Sequence, residues 1–301
     1  MEMQPLITPE ALSGLMAETA TTASPVVVID TRDPSEYAIA HIPGAINIRE
    51  IFTYLATSTT EGLESLQTEF SKLLGAAGIT GNEPIVIYED AMNKGFGQSC
   101  RGYFLLRYLG CAQVSVLHGG YQAWLAARLP ITADVPTPTP TVFDGQIDPN
   151  MMVTTAQMLA AVQDSSSKIV LLDVRDQVEW LGESSSPYGV DFCPRMGRIP
   201  GAVWIEWYQF MQPDAEIALF KSPAEISKLC AEVGITADTP VYIYCFKGSR
   251  ASNALIALKA AGIKDVRNYF ASWNEWSRDP SLPIETGAPT PASVMVAAVT
   301  A

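Results

Sequence analysis

The sequence predicts an α/β protein made of two tandem domains, each a parallel sheet with helices on both faces. Three observations predict it. Short apolar runs rich in β-branched residues alternate with Ala-, Leu- and Lys-rich helical stretches, the pattern of strands joined by crossover helices. A set of motifs recurs in the same order in both halves of the 301 residues. Between the halves, Pro136, Pro138 and Pro140 stand among threonines, the composition of an extended, moderately stiff linker. The expected division is a first domain over 1–134, a linker over 135–150, a second domain over 151–287 and a disordered tail over 288–301.

In the first half, strands are expected at 26–30, 45–48, 85–88 and 114–117. Helices are expected at 9–18, 34–38, 63–77, 98–109 and 121–127. The second half repeats the landmarks. Val26-Val27-Val28-Ile29-Asp30-Thr31-Arg32 matches Ile169-Val170-Leu171-Leu172-Asp173-Val174-Arg175, and Ile42-Pro43-Gly44-Ala45 matches Ile199-Pro200-Gly201-Ala202. Tyr88 matches Tyr244, and Tyr121-Gln122-Ala123-Trp124 matches Trp273-Asn274-Glu275-Trp276. The Asp-x-Arg pairs occur in both halves, so they read as strand-end capping and ion pairing rather than catalysis. His41 and His118 read as structural polar residues. Arg198 takes the slot of His41 and reads the same way.

Composition narrows the function class. A chain that is 48% hydrophobic and 17% charged is a soluble globular protein, and no stretch approaches a membrane span. Net charge −13 argues against nucleic acid as a partner and confines any attraction for anions to a local site. Five cysteines at irregular spacing, with no CxxC, point to a reducing compartment with neither a disulfide frame nor a zinc site. The opening MEMQPLITPE has no basic n-region, so no signal peptide is expected and the localisation is read as cytoplasmic. No cofactor or metal is expected, and the oligomeric state is left open.

One stretch carries chemistry. Val241-Tyr242-Ile243-Tyr244 reads as a buried strand, and a helix runs from Ala251 to a stop at Gly262. Between them lies Cys245-Phe246-Lys247-Gly248-Ser249-Arg250. A cysteine on a tight strand-to-helix loop meets loop N–H groups and the positive end of a helix dipole, and both favour thiolate. Gly248 lets the loop turn, while Lys247 and Arg250 add cationic charge. Both histidines lie in the first half, so activation by amides, dipole and cations is simpler than a Cys–His pair. Such a loop suits attack on an anionic substrate.

Cys-x-Lys-Gly at this junction resembles the active-site loop of the rhodanese family, the thiosulfate sulfurtransferases, and the repeated motifs extend the resemblance over nearly the whole chain. The resemblance implies two tandem rhodanese-like domains and a cysteine that takes up a sulfane sulfur as a persulfide. The best-known two-domain members carry Arg where this chain has Phe246 and a hydroxyl residue where it has Arg250. The Cys-x-x-Gly-x-Arg form is similar to many bacterial and single-domain sulfurtransferases instead. Mercaptopyruvate sulfurtransferases typically have small neutral residues at the positions of Phe246 and Lys247, so Lys247 tilts the expected donor toward thiosulfate.

The first half resembles the non-catalytic domain of tandem rhodaneses, because Glu89 stands where Cys245 stands and a carboxylate can neither hold sulfur nor attract an anion. Cys100, Cys111 and Cys230 read as core thiols. An insertion over 179–198 is expected to be a surface loop carrying the donor-binding Arg195, with Glu179 at the slot of a further family arginine. Cys193 in that loop reads either as a core thiol or as a partner for a redox-sensitive disulfide with Cys245. Trp273 is expected either to wall the cleft or to pack the core, and Phe246 to rim the pocket.

The expected site is therefore Cys245 as nucleophile, Lys247, Arg195 and Arg250 on the donor's anionic end, and loop N–H groups from Phe246 through Gly248 and Ser249 holding the persulfide. The expected reaction moves sulfur from thiosulfate to cyanide or a thiol, with ping-pong kinetics. Partners are a small-molecule donor and a thiophilic acceptor. The alternatives are a 3-mercaptopyruvate sulfurtransferase, a carrier of persulfide from another protein, and a cysteine phosphatase. The last usually has five residues between Cys and Arg, where Cys245 and Arg250 enclose four.

Overall fold

The structure is a computed structural model that describes residues 3–94, 96–213 and 215–288. The tail expected to be disordered lies, apart from Ala288, outside the described residues. The chain divides into two compact units. Unit 1 comprises Met1–Tyr54, Leu63–Pro149 and Asp214–Leu219, and unit 2 comprises Leu55–Gly62, Asn150–Pro213 and Phe220–Ala301.

Unit 1 runs β1 (Leu6–Ile7), α1 (Pro9–Thr19), β2 (Val27–Asp30), α2 (Pro34–Ile39), β3 (Ile46–Asn47), α3 (Glu50–Thr53), α4 (Thr60–Ala76, which begins in unit 2), β4 (Ile85–Tyr88), α5 (Gln98–Tyr108), β5 (Val114–Leu117) and α6 (Gly120–Ala126). Its sheet has the order β1-β5-β4-β2-β3 and is parallel throughout. Unit 2 runs α7 (Thr155–Gln163), β6 (Val170–Asp173), α8 (Gln177–Trp180), β7 (Val203–Trp204), a 3₁₀ turn (Trp207–Phe210), α9 (Pro223–Glu232), β8 (Val241–Tyr244), α10 (Ser249–Ala260), β9 (Val266–Asn268) and α11 (Ser272–Trp276). Its sheet is again parallel, in the order β7-β6-β8-β9.

The strands expected at the centre of each sheet are there. β4 and β8 are buried at all four positions, as strands covered on both faces must be. Helix starts follow local chemistry: Thr154 with Gln157 and Ser222 with Glu225 form capping boxes at α7 and α9, and Pro223 opens α9. β1 and α3 escaped the sequence reading. β1 is two residues long and exists because it pairs with β5, as in Leu6↔Val116. No apolar period can announce so short a strand.

The proline-containing segment is extended, but it is pinned rather than loose. Thr141 N donates to Gly75 O at 2.8 Å, Asp144 N to Thr80 O at 2.9 Å and Asp148 N to Tyr108 O at 2.9 Å, all within unit 1. Gly75 permits the approach, since a Cβ there would stand 2.7 Å from Thr141 O.

The two Asp-x-Arg motifs are internal braces, as expected. Arg32 meets Asp30 and Arg175 meets Asp173 at 2.7 Å, in both cases buried. Each guanidinium also reaches a backbone carbonyl, Ala40 O or Gly197 O, at 2.7 Å. Each lies over an aromatic ring, Tyr121 at 3.9 Å and Trp273 at 4.5 Å. His41 contacts Tyr37 O and Asp134 O through its two ring nitrogens. In the matching slot Arg198 donates to Trp180 O and Gly287 O and pairs with Glu285. Among the described residues, no helix is long and apolar enough to cross a membrane.

Candidate functional site

β8 ends at Tyr244 and α10 begins at Ser249, so Cys245 to Gly248 form the turn between them. Gly248 is the N-cap of α10 at φ 84, and its N–H donates to Cys245 Sγ at 3.2 Å. The glycine is needed twice. Its φ lies in the left-handed region, and a Cβ would stand 2.5 Å from a ring carbon of Phe270 and 2.7 Å from Phe270 O. Three of the turn's carbonyls are tied elsewhere. Cys245 O accepts from Trp273 N at 3.0 Å, Phe246 O from Asn274 N at 2.9 Å, and Gly248 O from Ser252 Oγ at 2.6 Å. Carbonyls held by neighbours cannot turn toward the sulfur, which leaves it the N–H edge of the turn and the start of α10. Ser249 Oγ is buried in the same turn and has no hydrogen-bond partner among the described residues.

Ser272 was not visible as a site residue. It is fully buried at φ 58, unusual for a residue with a side chain. Its hydroxyl donates to Tyr269 O at 2.7 Å and accepts from Cys245 N at 3.2 Å. The matching position of the first repeat is Gly120, at φ 65, where no strain arises. The signal was therefore present in the repeat alignment, as a serine standing where its twin is glycine.

The expected cations divide. Lys247 is half-buried, with Nζ 5.8 Å from the centre of the Tyr188 ring. Phe246 is buried, and its ring centre lies 4.9 Å from Tyr188 and 6.4 Å from Phe192, both partly exposed. Arg250 is buried and committed to carboxylates. Its Nη1 is 2.6 Å from Glu179 Oε2 and 3.0 Å from Asp176 Oδ1, and its Nη2 is 3.1 Å from Glu179 Oε1. Burial alone would lower its pKa, but the attraction of Glu179 outweighs that and holds it above the usual value.

Arg195 departs from the expected donor contact. Its Nε donates to Ser277 O at 2.9 Å, Nη1 to Leu282 O at 2.8 Å, and Nη2 to Trp276 O at 2.7 Å and to Asp279 O. These carbonyls lie at and beyond the end of α11, so the guanidinium acts as a C-terminal clamp. The physical reason is that carbonyls at the negative end of a helix attract a cation, and this chain supplies one from the insertion. Trp273 packs in the core: it is fully buried, under Arg175, with Nε1 donating to Arg195 O at 3.1 Å.

The other thiols are core residues, buried and in no disulfide. Burial pushes Cys111 up to about 12 and Cys230 up to about 11. It raises Cys193 too, against the lowering effect of the Ser277 and Ser186 hydroxyls. Thiols so raised are poor nucleophiles. Cys100 is fully buried within α5. In unit 1 the slot of Cys245 holds Glu89, which accepts from Gln98 N and Ser99 N at 3.2 Å and from Ser99 Oγ at 2.6 Å. Burial pushes its carboxyl up to about 7 in spite of those bonds. Among the described residues no cluster of His, Cys, Asp and Glu is placed to hold a metal.

The model of the Rhodanese-like domain matches twice, over residues 8–127 and 154–279. The chain is 30% identical to a thiosulfate sulfurtransferase of Corynebacterium glutamicum over 279 residues, 90% of this chain and 88% of that one. It is also 30% identical to the sulfur carrier protein TtuD of Thermus thermophilus, over 83% of this chain and 87% of that one. Among solved structures, wild-type EanB superposes with a TM-score of 0.80 at 26% identity, covering 95% of this chain and 70% of EanB. The chain belongs to the rhodanese-like family, with two copies of the family's domain.

Proposed function

We propose that unit 2 is a sulfurtransferase that moves a sulfane sulfur from thiosulfate to cyanide or a thiol through a persulfide on Cys245. The observation that carries the reading is the Gly248 N–H on Cys245 Sγ at the start of α10, in the one repeat that has a cysteine at the strand end. The Cys245 thiolate attacks the outer sulfur of thiosulfate. A sulfur–sulfur bond forms at Cys245, the bond to the sulfonate sulfur breaks, and sulfite leaves with the electron pair. Cyanide then attacks the outer persulfide sulfur, thiocyanate departs, and the thiolate is restored. N–H groups of the turn hold negative charge on the persulfide.

Lys247 is the cation for the donor's anionic end. Arg250 and Arg195 are both committed to oxygens of the protein, so neither takes that role. The same commitment weighs against a cysteine phosphatase, which needs its loop arginine for the phosphate. The relative named as a sulfur carrier supports a second reading, in which Cys245 receives its sulfur from another protein. Cys245 is 1% exposed, which favours a small donor over a bulky one.

The test is steady-state turnover with thiosulfate and cyanide, beside mercaptopyruvate and p-nitrophenyl phosphate. Ping-pong thiocyanate formation that disappears in Cys245→Ser is expected. Undiminished turnover in that variant, or phosphatase activity alone, would overturn the reading.

A further inference from the structure

The segment before Ile199 is long in unit 2 alone. In unit 1 the chain passes from α2, ending at Ile39, through Ala40 and His41 straight to Ile42. In unit 2, residues 181–198 separate α8 from Ile199. This insertion is held by its backbone. Asp191 O accepts from Arg278 Nη2 at 3.3 Å, Phe192 O from Asn274 Nδ2 at 2.9 Å, and Arg195 O from Trp273 Nε1 at 3.1 Å. Trp273 and Asn274 also hold the turn at Cys245, through their main-chain N–H groups on Cys245 O and Phe246 O. Consecutive residues of α11 thus grip the turn with their backbone and the insertion with their side chains. What they bring beside the turn is aromatic. The ring centres of Tyr188 and Phe192 lie 5.8 Å apart, and 4.9 and 6.4 Å from that of Phe246. Phe246 is buried, but Tyr188 is 44% and Phe192 40% exposed. Unit 1, which has a glutamate at the strand end, has no counterpart to either ring.

We propose that Tyr188 and Phe192, beside Phe246, are specificity-determining residues that select the sulfur acceptor: a small, neutral thiol whose hydrocarbon part lies on the rings while its sulfur meets Cys245. This deepens the sulfurtransferase reading and rests on it. The acceptor thiolate attacks the outer sulfur of the Cys245 persulfide. A sulfur–sulfur bond forms to the acceptor, the bond to Cys245 Sγ breaks with its electron pair returning to Sγ, and the acceptor leaves as a hydropersulfide. The acceptor is apolar because covering two rings that stand in water is favourable in proportion to the area covered. It is small because Cys245 is 1% exposed. It is neutral because Lys247 Nζ lies 5.8 Å from the centre of the Tyr188 ring. That ammonium repels a cationic acceptor, and an anionic one would compete for the place of the donor.

The experiment labels the full chain with alkyl methanethiosulfonates from methyl to butyl, resolved by peptide mass spectrometry. The Cys245 thiolate takes the alkylthio group as a mixed disulfide and methanesulfinate leaves, so the alkyl chain is delivered beside the turn without any sulfane transfer. Each rate is divided by that of the same reagent with free cysteine. Labelling of Cys245 is expected to quicken by roughly two- to fourfold with each methylene, and Tyr188→Ala and Phe192→Ala are each expected to reduce that gain to below about 1.5-fold. The readout is a ratio within each variant, so a general loss of reactivity does not imitate it. A parent rate flat with chain length, or a gain unchanged in both variants, would overturn the proposal. A second arm follows loss of the Cys245 persulfide to ethanethiol and butanethiol, with butanethiol expected to be faster by about fourfold or more. Failure of the persulfide to form while the labelling gain is present counts against the proposed function and leaves the apolar subsite standing. Sulfur transfer without any preference for the longer thiol counts against the subsite and leaves the proposed function standing.

Discussion

The strand-end turns at Glu89 and Cys245 occupy one scaffold and treat charge in opposite ways. Both follow a tyrosine at the end of a buried strand, and both face a helix capped by a left-handed glycine, Gly97 or Gly248. Behind both stands an Asp–Arg brace. In unit 1 the helix N-terminus is already filled by a carboxylate of the chain itself, bonded to Gln98 and Ser99. In unit 2 it holds a thiol at 3.2 Å from Gly248 N. Eight positions separate Glu89 from Gly97, and three separate Cys245 from Gly248, so the second turn closes on its first side chain through a much shorter loop. The comparison teaches that an anion site at a helix end is a property of the fold, whereas its availability to substrate depends on what the loop puts in it.

The strongest way to break the comparison is to exchange the side chains. Cys245→Ser is expected to lower thiosulfate turnover by at least ~10³-fold, and adding Glu89→Cys to that variant is expected not to restore it. Recovered turnover would show that the longer turn serves as well. Next comes Gly248→Ala. The strained φ and the clash with Phe270 are expected to cost roughly 1–3 kcal/mol of unit 2 stability and to reduce turnover by about 100-fold. Thermal unfolding and kcat/KM read the two effects separately.

Glu89 gives the comparison a pH axis. Its carboxyl is raised from 4.5 to about 7 in the fold, so between those values the folded state holds a proton that the unfolded chain has released. Stability of unit 1 therefore falls as pH rises through that window, by something on the order of 3 kcal/mol, and is highest below it. Glu89→Gln is expected to flatten this slope, and an unchanged slope in thermal unfolding against pH would locate the titration elsewhere. The smallest effect is on the donor. Lys247→Ala is expected to raise the KM for thiosulfate by roughly 10-fold, more than for mercaptopyruvate, while Arg195→Gln lowers thermal stability and leaves that KM within about twofold. The reverse pattern would return Arg195 to the donor.

Much of this was legible in the sequence because it is carried by pattern. The parallel sheets announced themselves as apolar runs, and the difference between the repeats as a cysteine against a glutamate at the strand end. What escaped was carried by partners far apart in the chain. Arg195 could not be seen to clamp α11, because its acceptors are backbone carbonyls some eighty residues later. Glu179 looked like a missing arginine until the fold brought Arg250 to it. Ser272 stands where unit 1 has glycine, which the repeats show, but only its φ reveals that the serine is held in the left-handed region.

The central claim is that the turn at Cys245, and not any other thiol, holds a transferable sulfur. Intact protein treated with thiosulfate alone, freed of donor and digested without reductant, tests it by peptide mass. The account predicts a gain of one sulfur atom on the peptide containing Cys245, lost on adding cyanide. A gain on a peptide containing Cys100, Cys111, Cys193 or Cys230, or none on that of Cys245, would contradict it.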